Sequence, residues 1–272
     1  MNPLAGDNDR VMNRAYFRNL LTEMPRAALM AWHAHGVSGL WLTFCVFALR
    51  GMPWPLRLHP GLPLTNWHEA VNYLDNFVQR ELRLEAVEAM LHQQSGDVIE
   101  VGVNVGITTR WWLTLNPALR VTGIDMMQEA LDYTTQRLNE KGDGQRWKAI
   151  VGAVGDAAGS LAVRFDDPLE GTNSLDNACG AQTRRVEVNT IDAYLQRTSL
   201  TQPLLLKLDI EGHAGAALSG ASALLKTVLW VVIEIHHAEE LSRCADTLVS
   251  HGFRLRHFQG RTMWWSHSDV LS

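Results

Sequence analysis

Charged side chains able to move protons stand at the ends of two apolar runs in this chain. Residues 204–208 read LLLKL and are followed by Asp209, Glu211, Gly212 and His213, with Lys207 inside the run. Residues 228–235 lead in the same way to Glu234, His236 and His237. Ionised groups so close to apolar sequence are costly to bury alone, so they must pair, face a solvated cleft or hold an ion. Alternate positions on a strand share a face, which brings Glu234 and His236 to one site and turns His237 away. Two chemistries fit this set. Lys207, Asp209, Glu211, Glu234 and His236 can form a catalytic group in which a carboxylate or the imidazole takes the proton of an alcohol as its oxygen forms a new bond. Asp209, Glu234 and His236 can instead present two oxygens and a nitrogen to Mg2+ or a similar hard ion, lowering the pKa of a bound hydroxyl. His213 either caps a helix or faces the substrate.

A third stretch, Glu100-Val101-Gly102-Val103-Asn104-Val105-Gly106, is suited to holding a ligand. It follows the apolar run 97–101 and precedes a helical pattern over 107–115. Glycines there let the backbone approach a ligand, and the helix start offers unpaired N–H groups. The pattern is G-x-N-x-G rather than the G-x-G-x-x-G of dinucleotide sites, and Glu100 would repel a pyrophosphate. A carboxylate there suits a ligand with a cationic amine. S-adenosylmethionine (SAM) carries an ammonium, a sulfonium and no phosphate, and Asp125, at the end of the next apolar run, can accept both ribose hydroxyls. Glu100, Gly102, Asn104, Gly106 and Asp125 are the predicted cofactor contacts, with Asp209 close by.

Alternating strands and helices must position these groups. Strands are predicted at 97–101, 120–124, 148–154, 204–208 and 228–235, with helices at 107–115, 128–139, 214–226 and 238–250. A closing hairpin, 253–258 and 262–266, brings the count to seven strands. This order implies an α/β fold, a mostly parallel sheet with helices on both faces. Two further strand-like pieces, 161–165 and 185–188, flank a polar segment expected to be a mobile loop. Apolar residues at three- and four-residue steps predict one amphipathic helix over 69–91.

Composition limits the partners. Of 272 residues, 24 are Lys or Arg and 29 are Asp or Glu, a net charge of −5, so no basic field favours nucleic acid. Three widely spaced cysteines, Cys45, Cys179 and Cys244, fit neither a disulfide framework nor a structural zinc site, and point to a reducing, cytoplasmic setting. Residues 1–10 have neither the basic start nor the apolar stretch of a secretory signal. Residues 27–49 carry no charge, but His33, His35, Gly36, Ser38 and Gly39 interrupt the run. A buried helix is expected there, with a surface-lying or partner-docking segment as the alternative; no transmembrane span is expected, while peripheral contact with a membrane stays open. Four prolines between 53 and 63 then mark a boundary or an extended crossing segment, giving a helical, aromatic-rich extension over 1–64 and a main domain over 65–272.

Six blocks in order, VIEVGVNVGITT (98–109), GIDMM (123–127), AVGDAAGSLAV (153–163), VEVNTIDAYL (186–195), LLLKLDIEGHAGAALSGASALL (204–225) and VVIEIH (231–236), resemble the FkbM-type class I SAM-dependent methyltransferases. The resemblance spans residues 65–260. It implies a Rossmann-like domain that methylates hydroxyls, typically on sugars of polysaccharides, glycolipids or natural products, so the partner would be a small-molecule or glycan acceptor. By the same resemblance Asp156 would contact the adenine amino group. Met126 and Met127 can pack on the adenine ring or simply belong to the core. Two positions depart from the family pattern. Met126 follows Asp125 where Glu-Pro is common, and Ala214 stands where a second glutamate is usual, which puts an acidic role for that helix in doubt. An amine or carboxylate acceptor is the alternative to a hydroxyl. A noncatalytic scaffold is disfavoured by the retention of Gly102, Gly106, Asp125, Asp209 and Glu211, and a nicotinamide-dependent oxidoreductase by Glu100 and Asn104.

Overall fold

The structure is a computed structural model describing residues 22–59, 61–79, 84–171, 173, 175 and 180–267. The chain divides into two compact units, Met1–Arg80 and Glu81–Ser272. The second is built on a seven-stranded sheet. Its strands are β3 (Gly96–Val101), β4 (Leu119–Asp125), β5 (Trp147–Val151), β9 (Pro203–Leu208), β10 (Trp230–Glu234), β11 (Phe253–Gln259) and β12 (Thr262–His267). They lie in the order β11-β12-β10-β9-β3-β4-β5, and β12 alone runs against the rest. The expected mostly parallel, Rossmann-like sheet is thus what forms. Beginning at β3 the chain winds outward to β4 and β5, then returns to lay β9 against the other side of β3. That reversal opens a crevice beyond the carboxyl ends of β3 and β9.

Both strands at the reversal are buried on both faces, which explains why they read as unbroken apolar runs rather than alternating ones. Ile99, Val101, Leu206 and Leu208 enter one cluster with Val231 and Ile233 of β10. Each such side chain contributes about 1.5–3 kcal/mol of burial. Helices α4 (Glu85–Gln93), α5 (Ile107–Leu115), α6 (Gln128–Lys141), α7 (Ile191–Leu195), α8 (Ala214–Ser219) and α9 (Ala238–Ser250) connect the strands.

Three elements differ from expectation. The predicted strand 148–154 breaks at Gly152 (φ 156°), where the Tyr194 hydroxyl occupies the place of a side chain. Beyond the break β6 (Ala153–Val154) joins β7 (Gly159–Phe165) and β8 (Gln182–Asn189) in a separate three-stranded sheet of order β6-β8-β7. The helix predicted over 214–226 ends at Ser219 with Gly220 as its cap, where only glycine fits beside the carbonyl of Gly155; a single tight turn follows at Leu224–Lys226. The polar segment between β7 and β8 includes 172, 174 and 176–179, which lie outside the described residues, as does the N-terminal stretch 1–21.

The first unit contains a helix over 22–35 (α1), α2 (Val37–Phe44) continuing through a wider turn at Cys45–Leu49, a hairpin of β1 (Leu56–His59) and β2 (Leu62–Leu64), and α3 (Trp67–Tyr73) with its own wide turn at Leu74–Val78. The proline-rich extension is therefore not purely helical. The first unit runs past residue 64 to Arg80, with α3 tied to the N-terminal helices. Trp67 Nε1 donates to the Val46 carbonyl at 3.1 Å, and the Tyr73 hydroxyl lies 3.2 Å from His35 Nε2. The single helix expected over 69–91 is two, because its halves bury their apolar faces in different units: Leu74 and Val78 in the first, Val87, Met90 and Leu91 in the second. No described helix is long and apolar enough to cross a membrane.

At the edge of the sheet opposite the crevice, Asp97 holds three segments together. One oxygen accepts from Arg120 Nε at 3.0 Å, the other from the amides of Thr201 and Gln202 at 2.6 and 3.1 Å. Asp97→Ala should cost about 2 kcal/mol, with Asp97→Asn losing less, as read from urea unfolding midpoints.

Candidate functional site

The glycine-containing turn is shaped by the closeness of β9. Gly102 closes β3 with φ 81°, and a Cβ there would run into the backbone carbonyl of Asp209. Only glycine fits both the angle and the gap. Asn104 (φ 50°) and Gly106 (φ 65°) are also left-handed, and α5 begins immediately after. Asp125 fastens this turn from the neighbouring strand. It accepts from the amides of Val103 at 2.9 Å, Asn104 at 3.0 Å and Met127 at 2.8 Å. A carboxylate offers about four acceptor positions, so roughly one is left for a ligand hydroxyl rather than the two expected. Asn104 Oδ1 is buried in the turn without a hydrogen-bond partner among the described residues.

Beneath the turn lies a closed charge network. Lys207, 3% exposed, sends Nζ to the Gly102 carbonyl at 2.9 Å, to Glu100 Oε1 at 3.3 Å and to Asp209 Oδ2 at 3.2 Å. Burial alone would lower its pKa, but the Asp209 and Glu100 carboxylates outweigh that and raise it. Glu100 is fully buried and also accepts from the hydroxyls of Thr108 and Thr109 on the first turn of α5. Its pKa is raised by burial against the pull of Lys207. The carboxylate expected to touch a ligand ammonium is thus engaged beneath the turn, where it binds the start of α5 to Lys207.

The reactive groups crowd above this network, at the ends of β9 and β10. Burial would raise the Asp209 carboxyl, but Lys207 and a hydrogen bond with Glu234 outweigh it and hold the pKa below its ordinary value. Glu211 sits at φ 49°, a sparsely populated angle for a side chain of this size and a sign of constraint at the site. Burial, then the Asp209 charge, push its pKa up to about 7, with Arg261 opposing. Its Oε2 is 3.2 Å from His236 Nδ1. His236 moves the other way, lowered by burial against the charge of Asp209. Near neutral pH this leaves a carboxyl that gains and loses a proton beside an imidazole that is mainly uncharged.

Two residues that motif reading missed complete the arrangement. Arg261, in the turn between β11 and β12, pairs with Glu234 at 2.9 Å. Glu240, buried on the first turn of α9, accepts from the Ala214 amide at 2.8 Å and the His236 amide at 2.9 Å. A glutamate at the third helical position, able to reach back to the preceding backbone, was the available signal for Glu240.

The family model for the methyltransferase FkbM domain matches residues 66–255. The chain belongs to the FkbM methyltransferase family, a SAM-dependent one. The methyltransferase domain of METTL16 is 14% identical, with 86% of this chain and 80% of that one covered and a TM-score of 0.46. The O-methyltransferase TomG from Streptomyces achromogenes, solved with SAM, is 12% identical over 67% of this chain and 78% of its own, with a TM-score of 0.42. TrmK from M. capricolum, bound to S-adenosylhomocysteine (SAH), is 11% identical over 67% of each chain at a TM-score of 0.37. No curated protein matches.

In this FkbM methyltransferase the residues singled out from sequence are brought together unevenly. Gly102, Asn104, Gly106 and Asp125 form one turn, and Lys207, Asp209, Glu211, Glu234 and His236 one cluster. Met126 is half-buried against the small cluster around Met127 and Phe165, and Asp156 is exposed in the turn between β6 and β7. His213 occupies the cap position of α8, and the ring of His237 covers Gly212. The trio proposed for a metal does converge, with one ligand atom each within 4.8 Å of the others. Its acids, however, already face cations, Lys207 for Asp209 and Arg261 for Glu234, and its third donor is a nitrogen, whereas Mg2+ demands oxygen. The donor set does not fit Mg2+.

Removing Lys207 should leave the buried Glu100 and the half-buried Asp209 without their cation. Lys207→Met is expected to lose about 3 kcal/mol in urea unfolding, and Glu100→Gln added to it should recover part of that loss.

Proposed function

We propose that this protein transfers the methyl group of SAM to a hydroxyl, that of a sugar or glycosylated small molecule, with Glu211 as the base that takes the hydroxyl proton. The observation that carries the proposal is the Glu211 carboxyl, poised near pH 7 at the crevice where the glycine turn, Asp209 and His236 meet. An alcohol reacts poorly at neutral pH, and a base of matched pKa is what the transfer needs. SAM supplies an electrophilic methyl carbon on a sulfonium. Gly102, Asn104 and Gly106 would hold it along the turn, with the unpartnered Asn104 Oδ1 and the remaining position on Asp125 as acceptors for its donors. Asp156 and Met126 are the expected adenine contacts, and Glu100 would act indirectly by fixing α5.

Glu211 receives the proton as the oxygen forms its new bond. His236 Nδ1 keeps that carboxylate oriented, while Asp209, ionised and held by Lys207, keeps the crevice negative opposite a sulfonium. The sugar as acceptor rests on the family resemblance, and a net charge of −5 argues against a nucleic-acid substrate. A cytoplasmic setting goes with this reading.

SAH binding by calorimetry tests the cofactor site: Asp125→Ala should weaken it roughly 10- to 100-fold, and unchanged affinity would remove the assignment. Methyl transfer from tritiated SAM to acceptors found in a sugar and glycan screen tests the base. The wild-type rate should rise with pH through about 7, since Glu211 must lose its proton to accept another. Glu211→Gln should abolish that step and slow transfer about 10²- to 10⁴-fold while SAH affinity holds. Should His236→Ala remove the pH step and Glu211→Gln leave it, the base is the imidazole. EDTA should leave the rate unchanged; loss of activity with EDTA and recovery with Mg2+ would overturn the metal-free reading.

A further inference from the structure

The N-terminal unit carries an exposed apolar surface. On α1, Leu29 and Trp32 stand three residues apart and are 60% and 47% exposed. On α2, Val37, Leu40 and Phe44 repeat at helical spacing and are 73%, 41% and 39% exposed. The two helices are held close at Gly39, where a Cβ would run into the Ala31 carbonyl, so the apolar stripes belong to one tight hairpin. Phe44 continues into an aromatic group. Its ring centroid is 5.7 Å from that of Trp41, which stacks at 4.7 Å on Trp54, itself 54% exposed.

The charge of this segment is as one-sided as its exposure. Between Glu23 and Glu69 there is no Asp or Glu, while Arg26, Arg50 and Arg57 are all exposed, in a chain whose net charge is −5. Most of the segment also lies before residue 66, where the family match begins, so it is a feature of this chain rather than of the shared domain.

We propose that this face docks in the plane of an anionic lipid bilayer. Exposed aliphatic stripes with tryptophan at their margin are what enters the boundary between headgroups and acyl chains, and arginine beside them meets the negative headgroups. A second copy of the chain is the poorer occupant. A two-fold contact would bring together two patches of the same positive sign, with no acid between Glu23 and Glu69 to offset them. The inference stands independently of which acceptor is methylated.

Flotation of the full chain with lipid vesicles tests it. The protein should rise with vesicles of phosphatidylcholine mixed with phosphatidylglycerol, not with phosphatidylcholine alone, and raised salt should release it. Trp32→Ser combined with Leu40→Ser should weaken the association about tenfold or more, and Arg26→Gln, Arg50→Gln and Arg57→Gln together should do the same. The arginine variant alters only exposed side chains, so its circular dichroism and SAH affinity should match wild type. Absence of binding to the anionic vesicles overturns the proposal, as does equal binding to both lipids with no effect of the arginine variant. A dimer seen by light scattering that Leu40→Ser dissolves, with no vesicle binding, would assign the face to a second copy instead.

Discussion

A single buried ammonium underlies the whole site. The register of the central strands sets Lys207 beside Glu100, two residues before the point where β3 turns away at Gly102. From there Nζ reaches a carboxylate on either side and the carbonyl of the turn itself. Without that cation the buried Glu100 and the half-buried Asp209 would face one another with no compensating charge, which favours protonation of one of them. With it, Glu100 can remain under α5 and receive the two threonine hydroxyls, and Asp209 can stay ionised at the mouth of the crevice. The turn, the first helix of the domain and the acid at the end of β9 are therefore one electrostatic unit.

The behaviour of Glu211 follows from that unit. Burial raises its pKa most, and Asp209, which Lys207 keeps charged, adds a lasting negative neighbour, so that it climbs to about 7. His236, nearby and shielded from water, loses basicity instead. The carboxyl is thus moved up and the imidazole down, so near pH 7 it is Glu211 rather than His236 that changes charge. Arg261 keeps the neighbouring Glu234 from adding a further unbalanced charge.

Much of this was legible in the residues. Apolar runs such as LLLKL and VIEV announce strands buried on both faces, and charges at their ends mark the crevice, because burial leaves few other places for an ionised group. What escaped depended on distance through space. That Glu100 would spend its oxygens on Thr108, Thr109 and Lys207 could not be read from its place before a glycine, since Lys207 arrives from a strand far along the chain. The close approach of Tyr194 from α7 to Gly152, and of the Gly155 carbonyl near β6 to Gly220, each admits only glycine. The helix expected over 69–91 showed one continuous periodicity although its two halves face different cores, a distinction that periodicity does not encode.

The departure at Ala214 shows the same principle working for the site. A missing glutamate there suggested that the start of α8 had lost an acidic group, yet the carboxylate is present, delivered by Glu240 from α9, 26 residues away. It bonds the Ala214 amide at 2.8 Å with one oxygen and the His236 amide at 2.9 Å with the other, so one side chain fixes both the start of α8 and the backbone of the imidazole. Its charge also raises Glu211 and counters the fall of His236. Alanine at 214 leaves room for this carboxylate to approach the amide, where a longer side chain would compete for the space. What the crevice requires is negative charge at a helix start and an anchored His236, and the chain meets both with a residue from a different element.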